Sequence, residues 1–432
     1  MATSTLDISE SPVKTYTRML HQLHELFGVG RGDSEEADAI RDEMDAPWYA
    51  MSKQERERMG GLSEDLYALS EHNSRGVPMG PAERTAWSRE GTEAIANGSF
   101  DRALELLRKP PENMPLPNIW FLQARCWERL GDYETALLFM RAAAKLDRKF
   151  TFCLLSLLAE LGQKQQLIEV ANSLLNDPKS DPADVYFASG PLLEQASEMG
   201  DEAAKQQLER LASALNEALA KVQKIPKINR EVPNLDSHIT CMLAHCYRRL
   251  NESDRAFEIY ERALSRNPAD AEIRTCRGIE LLDQEPDLAL KDFEIAVENN
   301  TDSVWPYVVL AKNALRQRKY DRCLSFAERG VGKTTDPELL AELHEAIAIS
   351  RAELDWPPSR VMESFENALR YAPDNDRIRQ NCETAKLHTS SRELRVRFVL
   401  PIAPDHKPNP ADAISSRSAL KDLKEKREMR FA

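Results

Sequence analysis

The sequence returns to one pattern every 33 or 34 residues, and no other property limits its fold as sharply. Aligning Ala103 in "AWSREGTEAIANGSFDRALELL" with Ala136 in "IWFLQARCWERLGDYETALLFMRAA" brings Trp87 onto Trp120, Gly91 onto Ala124, Gly98 onto Gly131 and Phe100 onto Tyr133. The frame recurs on Ala256, Ala289 and Cys323, and a final copy keeps Phe365, Ala368 and Pro373. Adjacent anchors stand 33 residues apart (103 to 136, 256 to 289) or 34 (289 to 323). Each copy holds two helix-period patterns joined by a short turn. Small residues fall where the two helices must approach, and Pro268 and Pro373 stop the second helix. A unit of this size cannot bury its apolar face alone, so the copies must stack.

This spacing and residue set resemble the tetratricopeptide repeat over most of residues 82–388. The resemblance implies an all-α, right-handed solenoid of antiparallel helix pairs, with about seven or eight pairs, a helical cap before it and a flexible tail after it. It implies a non-enzymatic scaffold that binds another protein in its concave groove. Between 145 and 235 the frame weakens to one copy around Gly162 and Leu167 and another around Ala204, whose second helix runs on to Val222. Leu208, Leu211, Leu215, Ala218 and Val222 keep a 3–4 spacing there. Over only two heptads, that stripe fits packing on neighbouring helices better than a coiled-coil dimer seam.

The organisation expected is a partly helical leader (1–35), a helical cap (36–80), two sub-arrays (82–223 and 235–388) joined by a proline-bearing hinge (224–234), and a tail (389–432). Three short helices are expected over 36–69. Ser52 and Glu55 make a capping box for the middle one, Gly60 and Gly61 end it, and Pro47-Trp48-Tyr49 form the elbow before it. The "PWY" and "GLSEDLY" block resembles the N-terminal segment of uncharacterised bacterial repeat proteins. Trp48 and Tyr49 read first as a staple holding the cap on the first repeat, with a partner anchor as the alternative. In the tail, "RELRVRFVLP" (392–401) alternates as a lone extended segment would, and "LKDLKEKREMR" (420–430) is charged at helical spacing.

The net charge of -13 argues against a general nucleic-acid binder. The tail from 389 counts ten Lys/Arg against six Asp/Glu, so it carries +4 and the rest -17. A nucleic-acid-associated regulator acting through this tail is therefore the alternative function. The opening residues lack an apolar signal core, and "FTFCLLSLLAELG" (150–162) is too short to span a bilayer. Seven cysteines occur singly, with no CxxC pair, as in a reduced cytoplasmic protein. No membrane, cofactor or small-molecule ligand is expected, and the composition leaves the oligomeric state open.

Three constellations carry possible chemistry. "AERGVGKT" (327–334) satisfies a permissive phosphate-loop pattern and makes a nucleotide-binding protein a further alternative. Such a loop needs a strand before it and a helix beginning at Gly-Lys-Thr. The preceding residues are instead in frame as a second repeat helix, and Pro337 would sit in the second turn of the required helix. If Thr335 or Asp336 caps the next helix, Pro337 falls near its favoured first position. His238, Cys241 and His245 share a helix face and, with Cys246, are zinc-ligand types, but His238 and His245 lie two turns apart. Ordinary packing is the reading kept for them, and for the Cys241–His245 pairing as well.

The third constellation comes from the resemblance. In tetratricopeptide repeats the second, fifth, ninth and twelfth positions of the first helix line the groove. They fall on Asn118, Phe121, Arg125 and Glu128; on His238, Cys241, His245 and Arg248, with Arg249 adjacent; and on Trp305, Val308, Lys312 and Leu315, with Arg316 adjacent. Phe121, Arg125, His245, Arg248, Arg249, Trp305, Lys312 and Arg316 are the candidate partner contacts, a basic and aromatic set suited to an extended peptide bearing carboxylates. The family's Lys-and-Asn clamp for a chaperone carboxylate terminus is absent, since Ser88 and Thr92, Cys241 and His245, or Val308 and Lys312 stand at its positions.

Overall fold

A computed structural model describes residues 11–71, 76–226, 232, 234–390 and 398–400. Among these residues there are twenty α-helices and one short 3-10 turn, with no strand beyond an isolated bridge between Val77 and Pro111. The architecture is all-α. No helix among them is long and apolar enough to cross a membrane. Packing divides the chain between Val170 and Ala171 into two compact units.

The first unit opens with α1 (Pro12–Gly28), α2 (Glu35–Ala50) and α3 (Lys53–Glu71), with α1 packed on both of the others. Ser11 and Ser34 cap the first two helices through their hydroxyls. The expected Ser52–Glu55 capping box forms: Glu55 N–H donates to Ser52 Oγ at 3.3 Å, and Ser52 N–H to Glu55 Oε2 at 2.7 Å. The other cap expectations are corrected. Two helices, not three, cover 36–69, because α2 runs through Pro47 to Ala50 and α3 runs through Gly60 and Gly61. Pro47 lies in the last turn of α2, where it deletes a single intrahelical hydrogen bond.

Gly61 serves packing rather than helix termination. A Cβ there would clash with the Arg108 guanidinium. That guanidinium passes over Gly61 to reach Asp65, donating from Nε at 3.0 Å and Nη2 at 2.9 Å. Gln123 Nε2 donates to the same carboxylate at 3.0 Å. Asp65 is 1% exposed, and burial pushes its carboxyl up to about 6 against the pull of Arg108. After α4 (Pro81–Ala96), the network ties α3 to the end of α5 (Phe100–Leu107), which Arg108 follows, and to α6 (Leu116–Arg129), which carries Gln123. A second bridge, Arg58 to Asp101 at 2.7–2.8 Å, runs beside it. The unit continues through α7 (Tyr133–Leu146), the 3-10 turn Arg148–Phe150 and α8 (Thr151–Glu160), while α9 (Lys164–Asn176) crosses the division.

The second unit follows with α10 (Pro182–Glu198), α11 (Asp201–Val222), α12 (Leu235–Arg249), α13 (Ser253–Arg266), α14 (Ala271–Leu281) and α15 (Pro286–Glu298). It ends with α16 (Trp305–Arg316), α17 (Tyr320–Val331), α18 (Pro337–Glu353), α19 (Pro358–Tyr371) and α20 (Asp376–Ser390). Successive helices pack in order, and first helices of neighbouring pairs also meet: α10 with α12, α12 with α14, α16 with α18, and α18 with α20. The stripe Leu208, Leu211, Leu215, Ala218 and Val222 on α11 is buried in this packing. Residues 224–226 close α11, while 227–231 and 233 lie outside the described residues; α11 and α12 pack together across them. In the tail, 420–430 and most of 392–401 lie outside the described residues.

The repeat anchors mark the closest approaches. Ala136, Ala256, Ala289 and Cys323 are 0% exposed and Ala103 is 1% exposed. The turns inside several pairs need left-handed backbone, supplied by Gly98, Gly131 and Gly162 and, in later copies, by Asn251, Arg318 and Asp355. Replacing Asp65 with Ala strands a nearly buried guanidinium and amide, so chemical denaturation should show this unit losing about 3–5 kcal/mol. Removing the exposed Arg102–Glu90 pair should change little.

Candidate functional site

The structure distributes the eight predicted groove residues unevenly. On α6, Phe121 is fully buried and stacks on Phe150 with centroids 4.9 Å apart. Arg125 pairs with Glu128 one turn along the same helix, and the two side chains are 11% and 10% exposed. On α12, Arg248 donates from Nη1 to Ser253 Oγ at 2.9 Å, and its Nε stands 3.6 Å from Glu280 Oε2 of α14. Arg249 donates to the Leu193 carbonyl of α10 at 2.8 Å. On α16, Trp305 is buried, and Lys312 Nζ meets Glu342 Oε2 of α18 at 2.5 Å, an ion contact with both side chains inside. His245 is half-buried, whereas Arg316, at the end of α16, is exposed. Within the second unit, Trp305 is buried, and Lys312, Arg248 and Arg249 make contacts inside the fold.

The "AERGVGKT" string occupies a helix end of the wrong polarity for phosphate. Ala327 and Gly330 lie inside α17, which runs to Val331. A helix C-terminus presents carbonyl oxygens, whereas a phosphate cradle needs the N–H groups of a helix start. Lys333 Nζ is paired with Asp302 at 3.0 Å. Asp336 caps α18 by accepting the N–H groups of Glu338 and Leu339 at 2.8 and 3.2 Å, and Pro337 takes the first position. His238 lies with its ring centroid 5.6 Å from that of Tyr186, and Cys241 and Cys246 are buried. Among the described residues, no three His, Cys, Asp or Glu side chains are grouped to hold a metal ion.

The first unit also carries a recess lined by α1, α2 and α3, ahead of the repeat frame. Helices α1, α2 and α3 enclose a cavity of about 350 Å³ lined by Tyr16, Phe27, Trp48, Tyr49 and Tyr67, with Arg41, Asp45 and His24 among them. Tyr16 and Trp48 pack at 5.3 Å, as do Phe27 and Tyr67. The Arg41 guanidinium lies over the Phe27 ring at 5.8 Å and is fixed by Asp38 at 2.5 Å and the Gly32 carbonyl at 2.6 Å. Tyr49 is 74% exposed and Tyr67 48%. Burial, then Asp45, holds the Tyr16 hydroxyl above its usual range, and burial, then His21, pushes His24 below its own. Phe27 and His24 also wall a neighbouring cavity of about 380 Å³ over Trp120, Leu138 and Leu146.

The family model of the tetratricopeptide repeat matches residues 238–270, which carry most of α12 and all of α13, with Ala256 and Tyr260 buried on α13. This pair is a tetratricopeptide repeat. Among solved structures, the chain is similar to a tetratricopeptide repeat protein of Parabacteroides merdae at 14% identity and a TM-score of 0.35, over 70% of this chain and 98% of that one. It is also similar to the C-terminal part of such a protein from Cytophaga hutchinsonii (15%, 0.32, covering 68% and 98%). A third is a thermophilic one from Thermus thermophilus (14%, 0.24, covering 63% and 99%). No curated protein matches the chain.

Within the matched repeat, His245 is pushed down to about 4, first by burial and then by Arg249 and Arg248. The folded state therefore keeps it neutral, while the unfolded chain takes a proton below about 6.5. Stability from this group is present above that value and is lost as pH falls towards 4. Denaturant titrations should show His245→Gln removing a loss on the order of 3 kcal/mol between pH 6.5 and 4. An unchanged pH profile would place His245 in water.

Proposed function

We propose that this chain is a non-catalytic scaffold that holds another protein, gripping it through the aromatic cleft of α1, α2 and α3. The tetratricopeptide repeat at 238–270 and the similarly stacked pairs around it support a surface built for association. Accessibility favours the cleft over the inner helices: Tyr49 and Tyr67 are exposed in its lining, whereas Phe121, Trp305 and Lys312 are buried. A recess of about 350 Å³ walled by aromatic rings suits one bulky apolar side chain of a partner, with Arg41 and Asp45 beside it for the partner's main chain. An acidic extended peptide along the inner helices has less to hold, because Arg125, Arg248 and Lys312 already face Glu128, Glu280 and Glu342. The seven cysteines are buried thiols, which suits a reducing compartment, and we place the scaffold in the cytoplasm.

A photo-reactive benzophenone amino acid placed at Tyr49, and separately at Arg316, distinguishes the two surfaces in the native cell. The expected result is a protein adduct from position 49 that Trp48→Ala diminishes. Adducts from position 316 alone would move the contact to the inner helices.

A further inference from the structure

A buried carboxamide near the end of the second unit is arranged to hold a stretch of main chain. Asn381 on α20 is 0% exposed. Its Oδ1 accepts the N–H of Val399 at 2.7 Å, and its Nδ2 donates to the carbonyl of the same residue at 2.9 Å. The other Nδ2 hydrogen goes to Glu345 Oε1 of α18 at 2.8 Å. Glu345 is buried in turn and held by Arg377, whose Nη2 donates to Oε2 at 2.9 Å. The carboxamide thus presents Val399 with one acceptor and one donor, as a neighbouring β-strand would. Beside it, the Phe398 ring stacks on fully buried Phe365 of α19, with centroids 6.3 Å apart, and Phe398 is itself 9% exposed. Val399 is 42% exposed, so the main-chain pairing and one aromatic ring supply the grip.

Two features distinguish this arrangement from ordinary core. Main-chain hydrogen bonds read no side chain, so any extended segment satisfies them, and selection falls on the aromatic position. When residues 398–399 leave, Asn381 keeps a buried acceptor and a buried N–H with nothing to bond, a state that another segment or water must relieve. We propose that α18, α19 and α20 form a docking site for an extended peptide segment carrying an aromatic residue followed by an apolar one. Phe398 and Val399 occupy it in cis as an internal competitor. The site is separate from the α1–α3 cleft and does not depend on it.

A fluorescent synthetic peptide, RELRVRFVLP (392–401), added to the full chain measures the competition by anisotropy. Phe398→Ala in the chain weakens the internal segment, and that variant should bind the peptide at least about tenfold more tightly than the unaltered chain. Adding Asn381→Ala, or placing Ala at the aromatic position of the peptide, should abolish binding. If Phe398→Ala does not fold, Val399→Pro, which deletes the N–H given to Asn381, takes its place. Equal affinity of the unaltered, Phe398→Ala and Phe398→Ala/Asn381→Ala chains overturns the proposal. So does a Phe398→Ala chain that melts like the unaltered one and binds no peptide.

Discussion

In the second unit, charges on neighbouring first helices are matched from one helix to the next. Arg248 of α12 faces Glu280 of α14, Lys312 of α16 faces Glu342 of α18, and Arg377 of α20 faces Glu345 of α18. Within one pair, Asp292 is 0% exposed and accepts from Arg277 at 2.7 and 2.8 Å. An ion taken out of water without a partner costs several kcal/mol, so these pairs set which helix can follow which. The cost is visible in Glu280, where burial raises the carboxyl to about 7 even though Tyr260 donates to it at 3.1 Å.

That constraint explains both what the sequence reveals and what it conceals. The anchors at Ala103, Ala136, Ala256, Ala289 and Cys323 were legible because small residues at close approaches leave a periodic trace. The fate of "AERGVGKT" was legible for a similar reason: Pro337 fits the first turn of a helix and not its second. Charge pairing left no such trace. Lys312 and Glu342 stand thirty residues apart (312 to 342), and nothing local to Lys312 marks its side chain as turned inward rather than outward. The family positions identify which side of a helix is concave, but helix-to-helix packing decides whether that side is open.

The cap shows the same limit from the other side. Glycine is ordinarily a helix breaker, and Gly60-Gly61 reads that way in isolation. The contact that decides otherwise comes from Arg108, 47 residues on (61 to 108), which needs the space a Cβ would fill. The aromatic cleft was half legible: Trp48 and Tyr49 stand out in the sequence, but Tyr16 and Phe27 come from α1, inside what reads as a leader. Trp48 packs on Tyr16, as a staple does, while Tyr49 is left exposed beside it. The two readings of that dipeptide thus divide between its two residues.

A double-mutant cycle on Lys312 and Glu342 decides whether Lys312 serves the helix stack or a partner. Stability is measured by denaturant titration for Lys312→Met, Glu342→Leu and the pair together. An inward structural pair predicts a cost of about 3–5 kcal/mol for each single change, with the double variant recovering most of it. Additive, small effects, with a coupling energy near zero, would show Lys312 to be available for binding and would contradict the account.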